Sequence, residues 1–354
     1  MNMMTTAKAT EMAYEAGSPL LDVSELVVHF PAGRKRMFAR PSLVHAVDGV
    51  SFRVRRGTTF GIVGESGSGK STTAQAVMRL VPATSGKIVF DGENIMQLAG
   101  EPLRQLRRHL QIVFQDPFSA LDPRRRAGDQ VREPLDLLQI GSRSERDERV
   151  RALLAEVGLP PQAADLFPHQ FSGGQRQRLC IARALAPEPD MIVCDEAVSA
   201  LDVAIQAQIL NLLKKLQRER GLTYIFISHD LGVIQQFCDE IAVMYLGKIV
   251  ELAPASALFS EPRHPYAWSL IAAAAPAGPL RDALKQRYLV KGDPPSPVDP
   301  PPGCRFAQRC PFAVERCRQA LPQLEAIGSG HSVACHRAGQ IEAPDFGSAA
   351  IGPG

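Results

Sequence analysis

Positions 64 to 71 read Gly-Glu-Ser-Gly-Ser-Gly-Lys-Ser, the spacing G-x-x-x-x-G-K-[ST] of a phosphate-binding loop. Glycines there let backbone N–H groups curl around the α- and β-phosphates of a nucleotide. Lys70 supplies a compact cation for the β- and γ-phosphates, and the Ser71 hydroxyl can complete a Mg²⁺ shell. Gly64, Ser66, Gly67, Gly69, Lys70, Ser71 and Thr72 are accordingly assigned to the nucleotide. Two acids, Asp195 and Glu196, end the apolar run Met191-Ile192-Val193-Cys194. That pattern expects Asp195 on Mg²⁺ at the carboxyl end of a buried strand, with Glu196 orienting or deprotonating the attacking water. Gln115, after Gln111-Ile112-Val113-Phe114, is placed to sense the γ-phosphate through Mg²⁺ or water. His229 follows Tyr224-Ile225-Phe226-Ile227 and can hydrogen-bond the same phosphate, its ordinary pKa lying near neutrality.

These residues need a particular scaffold. Thr59 to Val63 reads as a short buried strand and Ser71 to Leu80 as a helix, the context a phosphate loop requires. Leu20 to Phe30 alternates as a strand, Gly33-Arg34-Lys35-Arg36 with Phe38 and Arg40 makes a basic loop, and Lys87 to Phe90 before Asp91-Gly92 signals a hairpin. Glu145 to Val157 and Gln175 to Leu185 fit helices of an insertion spanning about 116–186. Apolar runs at Met191–Cys194 and Tyr224–Ile227, separated by the helical pattern from Val203 to Arg218, give a βαβ rhythm and a parallel sheet. The helix after Phe171 opens with Ser172 as N-cap and Gly173-Gly174-Gln175 leaving amides bare, a second anion site. One nucleotide cannot easily use both helix starts of one subunit. The fold class expected is α/β: a P-loop NTPase core with a parallel sheet, an antiparallel β subdomain and the helical insertion, plus a small Cys-containing C-terminal extension.

The 354 residues suit one large domain and a small one, and 45% hydrophobic with 22% charged residues is ordinary for a globular chain. A net charge of +3 is too small to argue for nucleic acid. The longest apolar stretches, such as Leu270 to Ala275, fall short of the roughly 18 residues a membrane span needs. Residues 1–18 carry Glu11 and Glu15 without an apolar h-region, which expects a flexible tail and no signal peptide. Expected boundaries are a tail at 1–19, the ATPase domain at 20–262, a C-terminal domain at 263–340 after the Pro-rich shift, and a tail at 341–354.

Taken together, Gly64 to Ser71, Gln115, Ser172 to Gln175, Met191 to Glu196, Ser199-Ala200-Leu201-Asp202 and His229 make the chain resemble the ATP-binding subunit of an ABC transporter. They match that family's Walker A, Q-loop, signature, Walker B, D-loop and switch histidine in order over about residues 20 to 255. Phe171 stands where Leu is usual, and Ala197-Val198 where Pro-Thr is usual. The resemblance implies that two such domains sandwich two ATPs, each between one subunit's Walker A and the other's Ser172, Gly173, Gly174, Gln175 and Asp202. It makes Phe30 the candidate to stack on adenine. Partners implied are a second ABC ATPase subunit in a hetero- or homodimer, two transmembrane permease subunits and a periplasmic or surface solute-binding protein. The implied location is the cytoplasmic face of the inner membrane, as a peripheral subunit.

Cys180, Cys194 and Cys238 lie in apolar contexts and read as packed thiols. Cys304, Cys310, Cys317 and Cys335 crowd beside Pro-rich sequence in the spacing C-x5-C-x6-C-x17-C, and four thiolates can hold zinc or an iron-sulfur cluster. The segment from His264-Pro265-Tyr266 to Cys335-His336, including Gly303-Cys304-Arg305-Phe306 and Arg309-Cys310-Pro311, resembles the C-terminal extension of oligopeptide, dipeptide and nickel importers, some of which carry a [4Fe-4S] cluster on four such cysteines. The cofactors expected are therefore ATP and Mg²⁺, with the four cysteines open to a [4Fe-4S] cluster, as that resemblance implies, to zinc, or to a metal-free fold. The function expected is the ATP-hydrolysing subunit of a bacterial importer of di- or oligopeptides or related solutes; a soluble ABC-type ATPase acting on DNA or ribosomes is the alternative from another class.

Overall fold

Apolar alternation builds the first sheet. In β1 (Leu21–Pro31) the side chains of Leu21 and Val23, then of Leu26 and Val28, are buried, two period-two runs whose phase shifts at an irregularity where Glu25 takes φ 47°. It pairs antiparallel with β2 (Leu43–Val54) from Leu21↔Val54 to Pro31↔Leu43 and with β4 (Ser85–Phe90), so it lies between them. Between these last two in sequence come β3 (Thr59–Val63) and α1 (Lys70–Val77). The expected hairpin closes β4 onto β5 (Glu93–Asn94), with Asp91 and Gly92 both at positive φ, the conformation a tight primed turn needs. The computed structural model describes residues 18–32, 42–275, 292–328 and 330–344, with Asp282, Gln286 and Tyr288. The basic run at Gly33–Arg36, Phe38 and Arg40 lies outside those residues.

The second sheet carries the chemistry. After α2 (Gly100–His109) and β6 (Leu110–Val113), the insertion supplies α3 (Pro117–Ala120), α4 (Ala127–Leu137), α5 (Arg143–Glu156) and α6 (Gly173–Leu185). The chain then runs through β7 (Met191–Asp195), α7 (Val203–Arg220), β8 (Thr223–Ile227), α8 (Leu231–Phe237) and β9 (Glu240–Tyr245). Strands β9, β3, β8, β7 and β6 are parallel neighbours in that order. β3, β7 and β8 are buried at every position, which is why they read as unbroken apolar runs. Ile227 of β8 sits in register with Ile62 on one side and Asp195 on the other. That register puts the start of the phosphate loop, the two acids and His229 at one edge.

The insertion helices pack on one another through Val131, Leu135, Val150, Leu153, Leu154 and Leu179. α5 begins in a capping box, Ser142 and Glu145 each bonding the other's backbone N–H. α1 is shorter than the expected Ser71–Leu80: it ends at Val77, and Arg79 turns to φ 53° with its guanidinium bonded to the carbonyls of Ile95 and Leu98.

The C-terminal segment joins the same sheet. β10 (Lys248–Pro254) turns back antiparallel on β9, and is followed by α9 (Ala255–Ser260), α10 (Pro265–Ala274) and α11 (Glu315–Gln319). Then β11 (Glu325–Gly328) and β12 (His331–Val333) extend the sheet beyond β10, with Glu251 opposite Val333. Tyr266 and Phe306 both pack edge-on against Tyr245, at 4.7 and 5.2 Å between ring centroids.

Candidate functional site

Backbone geometry explains the loop's composition. Gly64 and Gly69 adopt φ of 152° and 106°, and a Cβ on either would lie 2.2 Å from the Met244 carbonyl oxygen or 2.3 Å from that of Ala46. No side chain fits there. Ser66 and Gly67 form the exposed tip, and Thr72 lies half-buried one residue beyond Ser71. Lys70 is buried, and its Nζ donates to the carbonyls of Gly64 and Glu65 at 2.9 Å each. Burial pulls its pKa down, while Glu196, Asp195 and Glu65 favour the charged form. The cation stays inside the loop it serves.

Ser71 Oγ donates to Asp195 Oδ1 at 2.9 Å. Burial pushes the Asp195 carboxyl above its ordinary pKa; the Ser71 bond and Lys70 oppose that push, and the neighbouring Glu196 charge adds to it. A hydroxyl touching a carboxylate that lacks enough positive charge is the donor set a divalent cation relieves. These residues therefore fit Mg²⁺. Glu196 follows at φ 50°, its N–H bonded to the Ile227 carbonyl at 3.0 Å, and its Oε2 lies 3.4 Å from His229 Nδ1. A non-glycine residue held in the left-handed region beside reacting groups is strain retained at a working site. The His229 side chain is 61% exposed, open to a ligand.

Gln115 is exposed just beyond β6, and with Asp195 it lines a cleft of about 960 Å³ that also includes Arg104, Phe114, Pro134 and Leu137. Phe30 sits near the end of β1, 38% exposed, opposite Val44. Ser172 caps α6 in a second capping box with Gln175: Ser172 N donates to Gln175 Oε1 at 2.9 Å and Gln175 N to Ser172 Oγ at 3.4 Å. Gly173 lies against Leu201, and Gly174 is buried against Ile205. Asp202 caps α7, accepting from Ile205 N at 2.9 Å. Among the described residues, no hydrogen bond or ion pair joins Ser172–Gln175 to the chain's own phosphate loop. The structure thus gathers Lys70, Ser71, Asp195, Glu196 and His229, with Gln115 in the adjoining cleft, while the second helix start makes no direct polar contact with that loop among the described residues.

Sequence reasoning missed the contacts made to Glu65. Tyr266 Oη accepts from its N–H at 2.8 Å, and Arg309 Nη1 donates to its Oε2 at the same distance. Both partners come from the C-terminal segment, and no spacing rule links residues so far apart. Only their place in the phrases His264-Pro265-Tyr266 and Arg309-Cys310-Pro311 singled them out.

The family model described as "ABC transporter" matches residues 47–199, and "Oligopeptide/dipeptide transporter, C-terminal region" matches 250–317. A probable peptide ABC transporter ATP-binding protein of Sinorhizobium fredii is 50% identical over 317 residues, covering 90% of this chain and 89% of its own length. A putative peptide import ATP-binding protein of Brucella ovis is 47% identical over 320 residues, covering 90% and 98%. An oligopeptide transport ATP-binding protein of Bacillus subtilis is 46% identical over 319 residues, covering 90% and 97%. Among solved structures, an ATP-binding cassette dimer in a post-hydrolysis state with ADP and Pi matches at TM-score 0.59 and 30% identity, over 66% of this chain and 98% of that one. The cbiO1 subunit from Clostridium perfringens matches at 0.60 and 28%, over 69% and 92%. None of these supports action on DNA or ribosomes.

One expectation is overturned. The relatives align over nine-tenths of the chain and are ordinary ABC ATP-binding proteins, none described with an iron-sulfur cluster. Cys304, Cys310, Cys317 and Cys335 line a small cavity with His264, Phe306 and Phe312. Burial there pushes the Cys304 thiol up to about 11, Cys310 to about 12, and Cys335 upward. The structure shows four buried or half-buried free thiols packed beside aromatic rings. Cys180 and Cys194 are packed likewise, raised to about 11 and about 12.

Proposed function

The chain belongs to the ABC transporter ATP-binding proteins, and from that membership we propose that it is the energy-coupling subunit of a bacterial importer of di- and oligopeptides or related solutes. It is an ATPase that uses ATP and Mg²⁺. One observation carries the reading: the phosphate loop, Asp195 and the Glu196–His229 pair meet at one sheet edge, in a chain whose 250–317 match the oligopeptide/dipeptide transporter C-terminal region.

In this reading residues 20–262 are the ATPase domain and 263–340 the peptide-transporter-type domain. Lys70 and the loop amides hold the β- and γ-phosphates. Ser71 and Asp195, with Gln115 beside them, would hold Mg²⁺, which when bound would supply positive charge for the phosphates. Glu196 accepts a proton as water attacks the γ-phosphorus; the bond to the bridging oxygen breaks, and ADP and phosphate leave. His229 steadies both Glu196 and the γ-phosphate. Phe30 stacks on adenine. The exposed start of α6, with Ser172, Gly173, Gly174 and Gln175, serves the ATP of a second subunit, and Asp202 lies at that seam. The cleft beside Gln115, with Phe114 and Leu137, receives the permease pair, and a solute-binding protein delivers cargo from outside. No helix among the described residues is long and apolar enough to cross a membrane, so a peripheral position on the permease fits. The test is uptake of a labelled dipeptide and tripeptide into proteoliposomes carrying the chain with its permeases and binding protein. ATP-dependent uptake that a Glu196→Gln subunit abolishes is expected; hydrolysis that no peptide stimulates would overturn the peptide assignment.

A further inference from the structure

Glu65 is held at its N–H, at its carbonyl and at one carboxylate oxygen. Its N–H donates to Tyr266 Oη at 2.8 Å. One carboxylate oxygen accepts from Arg309 Nη1 at 2.8 Å, and that guanidinium also donates to Tyr245 Oη at 3.2 Å while lying over the Tyr245 ring. Its carbonyl accepts from Lys70 Nζ at 2.9 Å and from Ser68 N at 3.2 Å. A single residue therefore joins the C-terminal segment to the cation that meets the phosphates. The grip is withdrawn from solvent: Tyr266 is 0% exposed and the Arg309 side chain 9%. Burial opposes the Arg309 charge, and its bonds to Glu65 and Tyr245 outweigh that, keeping it above its ordinary value. A glycine-rich loop left to itself samples many backbone states, and a ligand that must order its own site binds more weakly for it.

We propose that Tyr266 and Arg309 are positioning residues for ATP hydrolysis, holding Glu65 so that the loop and Lys70 are ordered before nucleotide arrives. The C-terminal segment thereby sets ATP affinity as well as packing against the core. This rests on the reading of the 64–71 loop as the ATP site. Tyr266→Phe removes the hydroxyl, and Arg309→Gln removes the ion pair with Glu65 together with the guanidinium contacts to Tyr245 while keeping a polar side chain, so each should fold. In the full-length chain each should raise the Kd for ATP about fivefold, the scale of one lost hydrogen bond. The KM for ATP should rise with it, while kcat at saturating ATP changes less than about twofold, because the reacting groups are untouched. Arg309→Lys, which keeps a cation near Glu65, should recover part of the affinity.

His331→Gln is the control. It replaces the imidazole that contacts Glu251 at 2.8 Å, perturbing the same segment without touching Glu65. Thermal melts of all four variants give the stability loss against which affinities are compared. Unchanged ATP affinity in Tyr266→Phe and Arg309→Gln overturns the proposal, as does an equal loss in His331→Gln at matched stability. Failure of the parent reading is distinguishable, since the wild-type chain itself would then bind no ATP.

Discussion

At the scale of single residues, the site separates holding a phosphate from breaking its bond. In the proposed mechanism Glu196 takes the proton; it lies within reach of His229, at a positive φ, with its N–H bonded to the Ile227 carbonyl. Glu196→Gln preserves that shape and removes the base, so ATP should still bind while turnover falls by about 10² or more, the scale for losing a general base. Phosphate release from the assembled transporter checks this; wild-type turnover would remove Glu196 from the chemistry. Lys70→Ala acts earlier. It strips the loop carbonyls of Gly64 and Glu65 of their donor as well as removing the cation, so calorimetry should find ATP affinity lost, and unaltered binding would contradict the assignment. Both residues were legible from sequence, because a phosphate loop and an acid pair after an apolar run are short local patterns. Tyr266 and Arg309 were not, since what gives them meaning is a contact across most of the chain.

At the scale of elements, the parallel strands and insertion helices were readable for a physical reason. Strands buried on both faces must be continuously apolar, and α5 and α6 announce their starts with capping boxes. The pairing of β12 on β10 was invisible, as it joins short strands separated by several helices and turns. α6 carries the next expectation. In the proposed function its exposed start, capped by Ser172, serves another subunit's nucleotide. Ser172→Arg places bulk and charge there, so hydrolysis in the full complex should stop while ATP still binds the chain's own loop. Losing the cap costs about 1 kcal/mol of helix stability, and Ser172→Asn, which keeps a cap, separates that cost from blocked closure. Hydrolysis surviving in Ser172→Arg would refute the cross-subunit role.

At the scale of the whole molecule, the C-terminal segment ties stability to pH. His264 is buried, its Nδ1 accepting from Tyr266 N at 3.0 Å, and burial drops its pKa to about 3. Unfolded, it returns to roughly 6.5, so the unfolded chain takes the proton first. Stability is then full above about pH 6.5 and falls as pH drops toward 3; at pH 5 this one group costs about 2 kcal/mol. Asp48 works in the same sense at lower pH. Burial disfavours its charge, but Lys248, His29, Arg305 and His45 together hold its carboxyl below the usual range. Urea unfolding midpoints at pH 5 and 7.5 should show the fall, and His264→Asn, which keeps an acceptor for Tyr266 N, should flatten it; an unchanged slope would clear His264. The placement of β12 has another consequence. Without it β10 would be the rim of the sheet, an open ladder of amides and carbonyls beside Ile249, Val250 and Leu252, on which a second chain could add strand to strand. Instead the rim is β11, four residues long, broken by a bulge and carrying Glu325, a poor template for such growth. The segment thus leaves this side of the sheet with an edge ill suited to strand-on-strand association.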